Sequence, residues 1–210
     1  IGESQVAEEI EDLIESQTNP TIAPYAKTGE VHLRITAKGK NEKECKKLIK
    51  PVVKELKARF GRNIFATEES KSLEEAVVDM LKEQEMTLSL AESCTGGAIA
   101  ARIVNGSGAS EVFLQGMVTY SNKAKRRCLD VSKSTLKKHG AVSEECAAEM
   151  AKGGRKASKT DICLSVTGIA GPGGGTKEKP VGTVFMGCSY KGCTQVREFH
   201  FQGNRARVRE

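Results

Sequence analysis

Aromatic residues are scarce, 4% of the 210 positions with no tryptophan, which argues against a base-stacking platform for single-stranded nucleic acid. No apolar run approaches the ~20 residues of a membrane-crossing helix, so a helical span is excluded. The opening residues, IGESQVAEEIEDLIESQ, are acidic and helical in pattern and do not read as a signal peptide. No C-x-x-C occurs. The seven cysteines (45, 94, 128, 146, 163, 188 and 193), odd in number and without a secretory signal, are expected to be reduced thiols of a cytoplasmic protein. Cys188, Cys193 and His200 match no standard zinc spacing, and Val184–Tyr190 reads as a strand, so buried structural thiols are the better account. There is no G-x-S-x-G elbow, and none of His32, His139 and His200 lies in a motif that would pair it with a serine. The first residue is Ile1 rather than Met and the last, Glu210, falls just as a helix begins. A fragment of a longer chain, with its final helix truncated, is expected.

What is present is enough for one large or two small domains, and a hydrophobic fraction of 38% suffices for a buried core. The charge is uneven. Residues 1–70 carry 12 Lys/Arg against 12 Asp/Glu, whereas residues 71–210 carry 21 against 15 and supply the whole net charge of +6. A basic surplus there suits a phosphate-bearing ligand, although one this small is common on ordinary surfaces.

The periodicity divides the chain at the same place. Val6, Ile10, Leu13 and Ile14 share one face of a helix over 3–17. Strands are expected at 23–27 and 30–37, the second alternating Val31, Leu33, Ile35 against His32, Arg34, Thr36. Asn41 caps a helix over 42–60 that Gly61 ends, and a short strand over 63–67 would close an α-β-β-α-β module, a small α+β domain over 1–70. From the Ser72/Glu75 capping box onward the pattern becomes α/β over 71–210. A helix (73–85), a strand (86–90), a helix (97–104), a strand (112–120) and a basic helix (123–129) come first. Helices at 132–138 and 143–157, strands near 161–167, 182–190 and 195–201, and a helix opening at Asn204 follow.

Three polar, glycine-containing segments each follow a strand of the larger domain, where open α/β sheets bind their ligands. In the first, Glu92-Ser93-Cys94-Thr95-Gly96-Gly97 leads into a helix whose N-terminal N–H groups favour an anion or a developing oxyanion. An ordinary Ser/Thr N-cap is the commoner explanation of the segment alone. The second brings Tyr120, Ser121, Asn122 and Lys125 to a strand's C-terminal end. The third packs five glycines into 168–175, among them Gly168, Gly171, Gly173 and Gly174. Such a loop lets backbone N–H groups approach a ligand closely, without being a Walker A loop. At the end of the chain Arg205 and Arg209 lie one helical turn apart with Arg207 turned away. An inward Arg there would clamp a carboxylate or phosphate; solvated basic residues are the alternative. Were Ser93 a nucleophile, its base would have to be other than His, and Lys125 is the lysine placed for it.

At this point the residues resemble a known family. Ala91-Glu-Ser-Cys-Thr-Gly-Gly97, Val118-Thr-Tyr-Ser-Asn-x-x-Lys125, His139-Gly-Ala-Val-Ser143, Thr167–Thr176 and Lys179-Pro-Val-Gly182 are similar to the C-terminal domain of the CinA family (competence-damage-inducible proteins), a nicotinamide mononucleotide (NMN) deamidase. Residues 1–70, with Ser16–Pro24, resemble that family's small KH-like domain. The resemblance implies a mixed sheet flanked by helices, cytoplasmic location and a homodimer. It also implies hydrolysis of NMN to nicotinate mononucleotide and ammonia by a Ser-Lys dyad, with neither metal nor cofactor. Ser93 and Lys125 would be the dyad, with Tyr120 and Thr167 in the same pocket. Glu92, Cys94, Thr95, Gly96, Gly97, Ser121, Asn122, Gly168, Gly171, Gly173, Gly174, Arg205 and Arg207 would surround the substrate, Arg207 falling in the family's Arg-containing last segment. N–H groups around Thr95–Gly97 would hold the oxyanion. A non-catalytic nucleotide- or nucleic-acid-binding protein is the alternative. Nucleic acid is disfavoured, because residues 1–70 are neutral and lack the G-x-x-G loop that clamps a backbone in KH domains.

Overall fold

A computed structural model describes residues 2–27 and 29–210. The chain divides into two compact units, residues 1–71 and 72–210. In the smaller unit, α1 (Glu3–Glu9) and α2 (Glu11–Ser16) precede the antiparallel pair β1 (Thr21–Lys27) and β2 (Glu30–Thr36), and α3 (Glu42–Phe60) follows. Val6, Ile10, Ile22, Leu56 and Phe60 are buried together, with Val31, Leu33 and Ile35 packed against them. The helix expected over 3–17 is thus two helices. Ile10 leaves helical geometry (φ −120°, ψ 12°) while being fully buried, so the bend lets both short helices turn their apolar residues onto one small core. The strand expected over 63–67 does not form. Gly61–Asn63 is a 3-10 turn closing α3, and Ile64 packs on the core as a single side chain rather than through a sheet ladder.

The larger unit opens with α4 (Leu73–Glu83), held by the expected capping box: Ser72 Oγ accepts from Glu75 N, and the Glu75 carboxylate accepts from Ser72 N at 2.8 Å. Then come β3 (Leu88–Glu92), α5 (Ala98–Ile103), α6 (Ala109–Val112), β4 (Phe113–Val118), α7 (Asn122–Leu129), α8 (Lys133–Lys138), α9 (Glu144–Ser158), β5 (Ile162–Gly168), β6 (Thr183–Tyr190), β7 (Cys193–His200) and α10 (Arg205–Arg209). The four-residue α6 was not legible in the sequence pattern. The sheet order is β4-β3-β5-β6-β7, parallel across β4-β3-β5 and antiparallel across β5-β6-β7. This is the mixed α/β architecture expected.

Alternation along β3 builds two cores, one on each face of the sheet. Leu88 and Leu90 join Val78, Leu81, Ile103, Ala109 and Val112 on one side. Ala91 joins Leu129, Val131, Cys146, Met150 and Cys163 on the other. On that second side a Cβ at Gly153 of α9 would lie 1.7 Å from the Leu129 carbonyl oxygen, so only glycine lets α9 press against the end of α7. Because β4, β3 and β5 run parallel, the loops after all three emerge at one edge of the sheet. Among the described residues no helix is long and apolar enough to cross a membrane.

Candidate active site

The segment after β3 is fixed before its side chains matter. Ser93 N donates to Val166 O at 3.0 Å and Thr119 N donates to Glu92 O at 2.8 Å, so the ends of the three parallel strands are cross-tied. Ser93 O accepts from Gly96 N, closing a tight turn over 93–96 in which Gly96 takes φ +64° and Gly97 φ +98°. Ser93 is only 7% exposed.

Lys125 reaches this turn from the other side. Ser121 Oγ caps α7 by accepting from Ala124 N at 3.1 Å, and one turn in, Lys125 and Leu129 project inward from the same helical face. Both are 1% exposed, while Lys123, Arg126 and Arg127 stay in water. Lys125 Nζ lies 2.7 Å from Ser93 Oγ, 2.8 Å from the carbonyl oxygen of Thr119 and 3.4 Å from that of Tyr120. Burial disfavours the ammonium and pushes the Lys125 pKa down. The same burial raises Cys94 and drives Cys146 up to about 11, so both thiols are protonated at neutral pH.

Ser93 and Lys125 open into a cavity of about 180 Å³ lined also by Cys94, Tyr120, Ala141, Val142, Thr167, Gly168, Ala170 and Arg205. Thr167 Oγ1 donates to Ala141 O at 2.7 Å, and Lys179 Nζ donates to His139 O and Val142 O; together they hold the α8–α9 loop as one wall. Arg205 donates to Gly171 O at 2.9 Å and to the Tyr120 hydroxyl at 3.1 Å, which stations a guanidinium at the rim. No carboxylate lines the cavity.

Ten of the expected residues do not line it: Glu92, Thr95, Gly96, Gly97, Ser121, Asn122, Gly171, Gly173, Gly174 and Arg207. Ser121 is spent on its cap and Asn122 begins α7 at the surface. Gly173 and Gly174 are exposed on the outer part of their loop. Arg207 folds its methylenes back over Gly203, where an added Cβ would meet them at 2.9 Å. Glu92 is buried, but its carboxylate turns away from the cavity and accepts from Gly97 N (2.8 Å), Ile99 N (3.3 Å) and Ala100 N (2.8 Å). The side chain thus caps α5. That corrects the expected oxyanion site at Thr95–Gly97: the Gly97 N–H belongs to Glu92 and the Gly96 N–H to Ser93 O, so neither is free for a ligand. Lys179 and the wall residues Ala141, Val142 and Ala170 were not among the expected site residues, although the segments His139–Ser143, Thr167–Thr176 and Lys179–Gly182 that contain them carry the family resemblance and were the signal that could have marked them. Arg209, whose Nε and Nη2 donate to Cys94 O (3.1 Å) and Thr95 O (3.0 Å), does lie at the spacing that pairs it with Arg205.

Residues 70–210 match the model of the CinA C-terminal domain and residues 1–66 that of the damage-inducible protein CinA KH domain. The chain belongs to the CinA family. A protein named as competence-damage inducible in Clostridium novyi (strain NT) is 52% identical over 210 residues, and the CinA-like protein of Kosmotoga olearia is 51% identical over 209. The match covers 100% of this chain and 50% of each relative; the CinA chain described here thus spans about half the length of those relatives. Among solved structures, the competence/damage inducible protein of Agrobacterium tumefaciens has 39% identity and a TM-score of 0.63, covering 65% of this chain and 84% of its own. The CinA superfamily protein of Escherichia coli has 32% identity and a TM-score of 0.64, covering 71% and 90%.

Proposed function

We propose that this CinA chain is an amidohydrolase that converts NMN and water to nicotinate mononucleotide and ammonia through a Ser93–Lys125 dyad. One observation carries the reading: a lysine amine with 1% exposure stands 2.7 Å from a serine hydroxyl at the floor of a cavity. A buried ammonium without a carboxylate partner is costly, and such a group is retained where chemistry uses it.

The neutral amine has two N–H groups and one lone pair. Thr119 O and Tyr120 O take the two N–H groups, so the lone pair faces the Ser93 hydroxyl, which then donates its proton to Nζ. As Oγ attacks the carboxamide carbon, Lys125 takes that proton and the carbonyl oxygen becomes an oxyanion. Collapse of the tetrahedral adduct breaks the C–N bond, Lys125 returns the proton to the departing ammonia, and an ester to Ser93 remains. Water, deprotonated by Lys125, hydrolyses the ester and restores the hydroxyl. Cys94 lines the same cavity, but its raised pKa leaves it a thiol, a poor nucleophile beside a serine with its own base.

The charge of the cavity suits the substrate. Arg205 at the rim favours the phosphate, and a cationic pyridinium beside Lys125 favours the neutral amine that the reaction needs. About 180 Å³ is less than the ~300–1,000 Å³ that encloses a whole drug-sized ligand. The cavity therefore takes the amide-bearing ring, and ribose and phosphate extend past Arg205. The reading implies a cytoplasmic enzyme, in keeping with seven free cysteines. The test is ammonia release by the full chain from millimolar NMN. One ammonia per nicotinate mononucleotide is expected, and no release above buffer would overturn the proposal.

A further inference from the structure

A serine hydrolase needs donors where its oxyanion develops, and with the α5 amides already satisfied by Glu92 they must come from the turn itself. Ser93 N is bound to Val166 O and Gly96 N to Ser93 O, which leaves the N–H groups of Cys94 and Thr95 without an oxygen acceptor among the described residues; both face the Cys94 sulfur, a weak acceptor that a developing oxyanion would displace. The residue after the nucleophile is also the donor used at the nucleophile elbow of α/β-hydrolases. In a trans peptide the C=O and N–H of one plane point in opposite directions. Whatever holds the carbonyl of Cys94 therefore aims the N–H of Thr95, and whatever holds the carbonyl of Ser93 aims the N–H of Cys94.

The second task is done within the turn, by Gly96 N. The first is done by Arg209. Its Nε and Nη2 hold Cys94 O and Thr95 O together, like the two prongs of a fork. An added Cβ at Gly96 would stand 3.3 Å from Nη2, so glycine gives the guanidinium room to settle. Thr95 Oγ1 is buried without a partner on the same turn, so it does not compete for these amides.

Resting on the Ser93–Lys125 reading, we infer that Arg209 is a positioning residue for transition-state stabilisation: by gripping the carbonyls of Cys94 and Thr95 from outside, it turns the Thr95 N–H, alongside that of Cys94, toward the oxyanion. It touches no substrate and acts through two peptide planes.

The test is the rate at which an alkyl fluorophosphonate labels Ser93 in the full chain, followed by peptide mass. In this reaction Oγ bonds to phosphorus, fluoride leaves, the serine proton passes to Lys125, and the P=O oxygen occupies the oxyanion position. Arg209→Ala should slow labelling by about 30-fold, below the ~100–1,000-fold seen when an oxyanion donor is removed outright. The pH at which labelling is half-maximal should stay fixed, because Lys125 is untouched, and with NMN the loss should fall on kcat rather than KM. Arg209→Lys, which donates from a single point, should lie between the two. It remains informative if Arg209→Ala fails to fold. Labelling of Arg209→Ala, or of Arg209→Lys where only that folds, at the unsubstituted rate would overturn the inference and leave the dyad standing. Absence of any Ser93 adduct in the unsubstituted protein would overturn the dyad, and the inference with it.

Discussion

The two units differ most in what they bury. All thirteen buried polar or charged side chains among the described residues, Ser89, Glu92, Ser93, Thr95, Lys125 and Thr167 among them, lie in 72–210. The smaller unit buries only apolar side chains and keeps its ion pairs, such as Arg59–Asp12 and Lys46–Glu42, at the surface. Its helix α3 and the larger unit's α7 are both lysine-rich, yet every α3 lysine is exposed and Lys125 is not. The unit that carries the desolvation of an amine and a carboxylate sets the amine against a cavity and the carboxylate against the first amides of α5.

Five substitutions test that contrast, the largest effect first. Ser93→Ala and Lys125→Met should each lower NMN turnover by at least ~1,000-fold in the ammonia assay, while exposed Lys47→Met on α3 leaves it unchanged. Glu92→Gln puts an NH2 against N–H donors and removes a charge-assisted cap; equilibrium unfolding in urea should show a loss of about 2–3 kcal/mol. Lys125→Met should also change how stability depends on pH. The folded-state pKa of Lys125 lies below its unfolded value near 10.4, so between those two values the unfolded chain binds more protons and stability rises with pH. The variant should therefore gain most over the parent below the folded pKa, and the gain should shrink as pH approaches 10.4. The smallest effect is expected from Asp12→Asn, which breaks an exposed pair and should leave both turnover and the unfolding midpoint within error.

Much of the larger unit was legible because its signals are local. The apolar stretch Met86–Leu90 located β3 to within two residues, the Ser72/Glu75 box fixed the start of α4, and Asn204 marked α10, whose Arg207 N it does cap. The 3.6-residue period also separated Arg205 and Arg209 from Arg207, which the family resemblance had favoured for the substrate. What escaped depends on direction rather than pattern. Nothing in Glu92-Ser93 says which of two adjacent polar side chains faces the cavity and which the next helix; that is set by the pleat and by how β3 meets α5. The apolar Ile64-Phe65 reads as a strand, but with only β1 and β2 in that sheet and a 3-10 turn at 61–63, the segment never joins the ladder.

The identity of the nucleophile decides the whole account, because Ser93 and Cys94 are neighbours in the same cavity. Ammonia release from NMN by Ser93→Ala and Cys94→Ala, measured side by side, separates them. The account predicts that Ser93→Ala is inactive and that Cys94→Ala retains most of the parent rate. An active Ser93→Ala beside an inactive Cys94→Ala would contradict it.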